Sequence, residues 1–170
     1  MYWDLFSPDQ WQTYEQTRKT VMLDRVVVED SEAEKAHGLK GEKMLTDTTF
    51  SRTLRTATDG GWFSYELKAD SPEPLFLVCQ YWGGGWGPDP AGVMDVFVEN
   101  TKVGTRDFSH KDQETLFFDA VYAIPPQLTK DKEKLKVRFQ TRPGKVNSGL
   151  FGCKLVTAGG LVVRDLMNER

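Results

Sequence analysis

The sequence predicts an all-β fold, a jelly-roll β-sandwich preceded by one short helix. Three observations point there. Short apolar sets recur with period two: Phe63, Tyr65 and Leu67; Met94, Val96 and Val98; Leu135, Val137 and Phe139; Phe151, Cys153 and Leu155. Leu75 to Tyr81 is apolar on both faces, as expected of a central strand. Turn signals punctuate these runs at short intervals, namely Asp59-Gly60-Gly61, Ser71-Pro72-Glu73-Pro74, Glu99-Asn100-Thr101-Lys102, Pro125-Pro126 and Arg142-Pro143-Gly144. Many short half-buried strands imply two sheets closed over one core rather than a parallel α/β sheet.

Taken in chain order, Met1 to Phe6 reads as a strand with no partner nearby. Ser7 can cap a helix, with Pro8 at its first position, Gln10 completing a capping box, and Phe6 and Trp11 forming a hydrophobic staple. That helix runs to about Arg18 or Lys19. Residues 1–22 are expected to be the end of a preceding domain with its connecting helix. Residues 23–40 follow as an extended linker in which Val26-Val27-Val28 can pair briefly and Glu29 to Lys35 forms an acidic surface segment. The β-sandwich spans 41–158, and 159–170 is a tail that ends as a strand or a docking segment. Cys79 and Cys153 both fall in strand-like runs, where buried free thiols are commoner than a bridge between neighbouring strands.

Composition removes several function classes. A formal net charge of −3 over 170 residues lacks the basic surface that phosphate backbones require, which argues against nucleic acid as a partner. The lysines from Lys130 to Lys136 alternate with Asp131 and Glu133 and read as a solvated turn. No apolar run approaches the roughly 20 residues of a membrane span, and the first residues lack a basic start and apolar stretch. Two cysteines and two histidines, widely spaced, form no zinc pattern.

No catalytic set assembles in the sequence. Asp89, Asp95, Asp107 and Asp119 are scattered over strands and loops rather than paired as a glycosidase needs. Ser64 reads as an outward strand residue, and the glycines from Gly83 lack the lysine of a phosphate loop. His37 reads as a loop anchor that hydrogen-bonds a carboxylate or carbonyl. Arg52 and Arg55 are candidates for a salt bridge or, secondarily, for sugar contact. Gly60 and Gly61 are structural turn residues. Asp89, between Pro88 and Pro90, offers one carboxylate to calcium, an ion that takes six to eight oxygens; no other cofactor is indicated.

The segment from Phe76 to Gly87 carries the most specific signal. An apolar strand, ending in Tyr81-Trp82, enters the loop Gly83-Gly84-Gly85-Trp86-Gly87, whose glycines cannot cover the indoles. Aromatic rings on a β scaffold stack on sugars or cover another domain. Tyr81, Trp82, Trp86, Asp89 and Arg55 are therefore the candidate carbohydrate or interdomain contacts. The preferred reading has Trp82 packed at the end of the sandwich and Trp86 against a neighbouring domain.

Several motifs also resemble a known family. His37-Gly38-Leu39-Lys40-Gly41-Glu42, Arg52-Thr53-Leu54-Arg55-Thr56-Ala57 and Gly60-Gly61-Trp62-Phe63-Ser64-Tyr65-Glu66-Leu67 are followed by Tyr81-Trp82-Gly83, Met94-Asp95-Val96-Phe97-Val98, Tyr122-Ala123-Ile124-Pro125 and Leu135-Lys136-Val137-Arg138-Phe139. In order and spacing, from about Leu23 to Val156, they are similar to the C-terminal accessory domain of bacterial glycoside hydrolases of the β-L-arabinofuranosidase type, itself long designated a domain of unknown function. The resemblance implies a galactose-binding-like sandwich and a non-catalytic role. It also implies a catalytic domain as partner, plant oligosaccharide as a possible contact, and a periplasmic or secreted setting. Catalysis in that family belongs to a helical barrel with a glutamate acid and a zinc-bound cysteine cluster, neither of which this chain has. The sequence departs from the family at Asn100-Thr101, where a short Asp-Gly hairpin is usual, and at Gly84-Gly85-Trp86-Gly87, where the loop is usually more polar. Two alternatives stand beside an accessory domain: an independent carbohydrate-binding module, and a structural spacer or dimerisation domain.

Overall fold

The computed structural model describes residues 12, 21–82, 92–107, 117–146 and 149–159. Within them the strands are β1 (Met22–Val27), β2 (Lys40–Thr49), β3 (Arg52–Lys68), β4 (Leu75–Trp82), β5 (Val93–Val98), β6 (Thr101–Asp107), β7 (Phe117–Ala123), β8 (Lys134–Thr141) and β9 (Leu150–Thr157). Two short helices, α1 (Ser31–Ala36) and α2 (Pro126–Thr129), lie between strands. The strands join in the order β6-β5-β8-β3-β9-β4-β7, with β1 added on β9 and β2 on β3. All these pairings are antiparallel, and the sheet folds on itself as a jelly-roll sandwich. The expected N-terminal strand and helix, the glycine-rich loop after Trp82 and the C-terminal tail lie outside the described residues, apart from isolated positions.

β3 belongs to both layers. Its first half, through Ala57, pairs with β2 and meets β9 at Arg55 and Leu150, whereas its second half, from Trp62, pairs with β8. Residues 58–61 stand between the halves as a bulge, opposite a single β2 residue, Lys43. Asp59 and Gly60 adopt positive φ there, 44° and 74°. Such a bulge bends a strand and turns it from one layer to the next. The expected Asp59-Gly60-Gly61 turn is thus a bend inside one strand. Its residues permit left-handed backbone as a turn requires, but both flanks continue along β2, so the chain does not reverse.

The bend is held from several sides. The Asp59 N–H donates to Lys145 O at 2.8 Å, and the Gln140 amide donates to Gly60 O at 2.6 Å. The Asp59 carboxylate accepts from the Gly144 N–H and from Lys43 Nζ, each at 2.9 Å. A Cβ at Gly61 would lie 2.6 Å from the Glu42 carbonyl oxygen, which explains glycine at that position.

The core fills the space between layers. Phe63, Tyr65, Val137, Phe139 and Val96 on one side meet Leu77, Cys79, Tyr81 and Leu155 on the other, all fully buried. Phe63 stacks on Phe139 with ring centroids 5.1 Å apart. The sheet nearly closes where its outermost strands approach. Gly104 of β6 leaves room for the Tyr122 ring of β7, and the Arg106 guanidinium lies 4.0 Å over the Phe118 ring.

Other expectations are revised in detail. Residues 23–40, expected as an extended linker, form β1, which pairs along β9, and α1. The Asp30 carboxylate caps α1 by accepting from the Ala33 N–H at 2.9 Å. Phe151 does not join the inward set. It is the extra residue of a β9 bulge, between the pairs Gln80–Gly152 and Tyr81–Leu150, so Leu150 faces the core and Phe151 the outer side. Ser64 faces away from the core yet is buried, because β3 runs between β2 and β8. Cys79 and Cys153 are direct cross-strand partners with free, buried thiols. Burial pushes both thiols well above their ordinary value, which makes them poor nucleophiles. β5 and β6 are joined by the two-residue turn Glu99-Asn100, in which Glu99 has φ 55° and its carboxylate accepts from the Lys136 N–H at 3.0 Å.

The acidic segment of α1 is only partly a surface. Glu34 is 3% exposed and takes two hydrogen bonds from Arg55, at 2.7 and 2.6 Å, and one from the Tyr65 hydroxyl at 2.6 Å. Burial opposes the charge on Arg55, but Glu34 outweighs it and holds the guanidinium protonated. Burial and the carboxylate together push the Tyr65 phenol up, so it remains a donor. Glu34→Gln leaves the buried guanidinium without its counter-charge. We expect it to lower the unfolding free energy by about 3 kcal/mol in urea titrations, at the lower end of the range for a broken buried pair because the amide still accepts a hydrogen bond.

Candidate functional site

The outer face of β1, β9, β4 and β7 presents side chains in rows set by strand register. One row runs Val27, Gly152, Gln80, Asp119; the next runs Arg25, Lys154, Val78, Val121. Successive rows on one face lie about 6.6 Å apart, because two residues of strand separate them. Between the rows lies a trough of about 140 Å³, open to solvent, lined by Arg25, Arg52, Lys154, Gln80, Asp119 and Gly152 among others. Gly152 forms its floor. A Cβ there would come within 2.5 Å of the Val26 carbonyl oxygen, so glycine is what lets β1 lie close.

An aromatic ridge continues the trough toward the end of β4. Phe151, re-aimed by its bulge, contacts Phe117 at 5.2 Å between ring centroids, and Phe117 contacts Trp82 at 5.6 Å. Phe50 completes the ridge, 5.4 Å from Trp82 and 6.4 Å from Phe117. Arg52 joins ridge and trough. Its guanidinium lies 4.4 Å over Phe151 and 5.2 Å from Phe117, and it donates to the Gln80 side-chain oxygen at 2.7 Å.

Phe50 is the most informative member. It sits with Ser51 in the two-residue turn between β2 and β3, where Thr49 pairs with Arg52. Both turn residues have positive φ, 46° and 61°, a geometry that normally selects Asn-Gly. A bulky side chain in that region is strained, and the residue is 66% exposed. Neither backbone preference nor burial accounts for phenylalanine here.

The sequence-derived candidates separate into different places. Trp82 belongs to the ridge, almost covered at 9% exposure by Phe50, Phe117 and their neighbours. Tyr81 points the other way, into the core, with its hydroxyl 3.1 Å from that of Tyr122. Arg55 is enclosed with Glu34 and does not reach the outer face. Gly60 and Gly61 form the β3 bend. Trp86 and Asp89 lie outside the described residues. Phe50, Phe117 and Phe151 escaped sequence reasoning. The available signal was an aromatic residue at the tip of the alternating stretch from Thr46 to Thr56, without the glycine or asparagine of a two-residue turn.

The carboxylates of the described strands are individually engaged rather than gathered. Asp95 accepts from Thr105 at 2.7 Å and from Arg142 at 3.1 and 3.2 Å. Among the described residues no three His, Cys, Asp or Glu side chains converge as a metal site would require. Asp89, the carboxylate the sequence offers to calcium, lies outside the described residues.

His37 closes α1 onto β1. Its ring nitrogens stand 2.6 Å from Ala33 O and 3.1 Å from the Asp24 carboxylate, whose other oxygen accepts from the Lys68 N–H at 2.7 Å. Burial raises the Asp24 pKa, but the Lys68 and His37 contacts together outweigh it and hold the carboxyl below its usual range. A depressed pKa contributes stability that is complete above the unfolded value, near 4, and is lost as pH falls through the folded one. We expect the stability difference between the native protein and Asp24→Asn to shrink steadily as pH falls below about 4. Unfolding curves across that range measure it.

Comparison with known proteins agrees with the architecture. Two solved structures of family 35 carbohydrate-binding modules from Clostridium thermocellum share the fold. One is 15% identical, covers 79% of this chain and 98% of its own, and superposes with a TM-score of 0.54. The other is 8% identical, covers 78% and 98%, and also scores 0.54. At these identities the likeness establishes the jelly-roll fold alone. No curated protein matches the chain. A family profile matches residues 17–156, which include every described strand except the last residue of β9, and the chain therefore belongs to the family of unknown function DUF6805.

Proposed function

We propose that this chain is a carbohydrate-binding module, non-catalytic in itself, whose outer face β1-β9-β4-β7 receives an oligosaccharide. The observation that carries the reading is the exposed Phe50 ring, held at a strained turn beside Trp82 and Phe117. An exposed ring set beside two further aromatics offers an apolar face on which a sugar ring can stack. The trough beyond it supplies polar groups suited to sugar hydroxyls, and the fold is one shared with carbohydrate-binding modules. The motif resemblance supports placing the module in a longer bacterial glycoside hydrolase of the β-L-arabinofuranosidase type, acting on plant polysaccharide in the periplasm or outside the cell. In that setting the module tethers the parent enzyme to substrate.

Phe50→Gly separates binding from folding. Glycine suits φ 46° and relieves roughly 1 kcal/mol of left-handed strain, which offsets the lost ring contacts. Unfolding free energy should therefore stay within about 1 kcal/mol of the native value. Affinity for whichever of arabinan, arabinogalactan, xylan or pectic oligosaccharides binds should fall about tenfold, the worth of one stacking ring. Calorimetry and tryptophan fluorescence titration measure both. Unchanged affinity in Phe50→Gly, or no binding by the native protein across the panel, overturns the assignment. A face used only to pack a catalytic domain would give the latter result.

A further inference from the structure

We infer that the trough selects a saccharide bearing a carboxylate, so that the ligand is an acidic, uronic-acid-containing oligosaccharide; this rests on the carbohydrate reading above. Three cations, Arg25, Arg52 and Lys154, line the trough against one carboxylate, Asp119, in a chain whose net charge is −3. Arg25 and Lys154 are direct cross-strand partners on β1 and β9. Arg25 and Arg52 have no carboxylate partner among the described residues.

Arg52 is the oriented member. Stacking on Phe151 and the bond to Gln80 fix the plane of its guanidinium, the fork that matches a carboxylate in two parallel hydrogen bonds. Gln80 and Asp119, in the row between the ridge and the Arg25–Lys154 row, are placed for ring hydroxyls. From Trp82 to Val78 the strand rises about 13 Å, so a short oligosaccharide spans the aromatic ridge and the cationic row together. Stacking then supplies contact common to all sugars, and the cations supply discrimination.

The test pairs acidic oligosaccharides from pectin and glucuronoxylan with the same oligosaccharides after chemical reduction of their carboxyl groups, each titrated calorimetrically against the full chain. The acidic form should bind at least tenfold more tightly than its reduced counterpart, and the ratio should fall as salt is raised. Arg25→Gln, at an exposed position, and Arg52→Gln should each bring the ratio of acidic to reduced affinity down several-fold. Phe50→Gly should instead weaken both forms alike. Equal binding of acidic and reduced forms overturns the inference and leaves the carbohydrate reading intact. Absence of binding by every saccharide, acidic or neutral, overturns the reading and the inference with it.

Discussion

The bend in β3 is the constraint on which the rest of the molecule depends. A strand of 17 residues cannot serve two layers unless it turns between them, and residues 58–61 supply that turn without ending the strand. One half then lies beside β8 and the other reaches β9, so a single segment sets the position of both layers. The hydrogen bonds from Asp59, Gly60 and Gln140 tie the bend to the connection after β8, which fixes its angle rather than leaving a hinge. The Glu34–Arg55–Tyr65 cluster acts beside it, one partner on each half of β3 and the third on α1. Burying a charged pair stabilises little in itself, but removing either charge would be costly, so α1 is locked in one place.

The outer face follows from the same framework. The β3 start places Arg52 against the aromatic ridge, and the preceding turn projects Phe50 beside Trp82. The β9 bulge turns Phe151 from the inner core to the outer side of the sheet, where it is buried with Leu54 and Trp82, and Gly152 beyond it opens the trough floor. Each of these irregularities costs some regular packing or backbone freedom. Their convergence on one face, where β1 also sets Arg25, is the physical basis of the proposal that this face receives a ligand.

Much of the sandwich was legible in the sequence because burial in a sheet writes itself as period two. Phe63, Tyr65 and Leu67, or Leu135, Val137 and Phe139, alternate because only one face of each strand meets the core. Errors arose where register, not periodicity, decides. The pattern from Phe151 to Leu155 looks continuous, yet one inserted residue reverses the face of Phe151. Asp59-Gly60-Gly61 carries the chemistry of a turn, and only pairing on both flanks reveals a bend. Glu34 reads as one of several surface acids, and its burial depends on an arginine 21 residues away.

By itself, the sequence determined the all-β class and the core-facing residues of the central strands, since these depend on composition and local alternation. It also singled out Trp82. The tertiary structure decided what surrounds that ring. It removed Tyr81 to the core and Arg55 to a buried ion pair, and gathered Phe50, Arg52, Phe117 and Phe151 into one cluster on the outer side of the sheet. A face of this kind is defined by which residues stand side by side across strands, and that neighbourhood is fixed by register and bulges, which one-dimensional spacing does not encode.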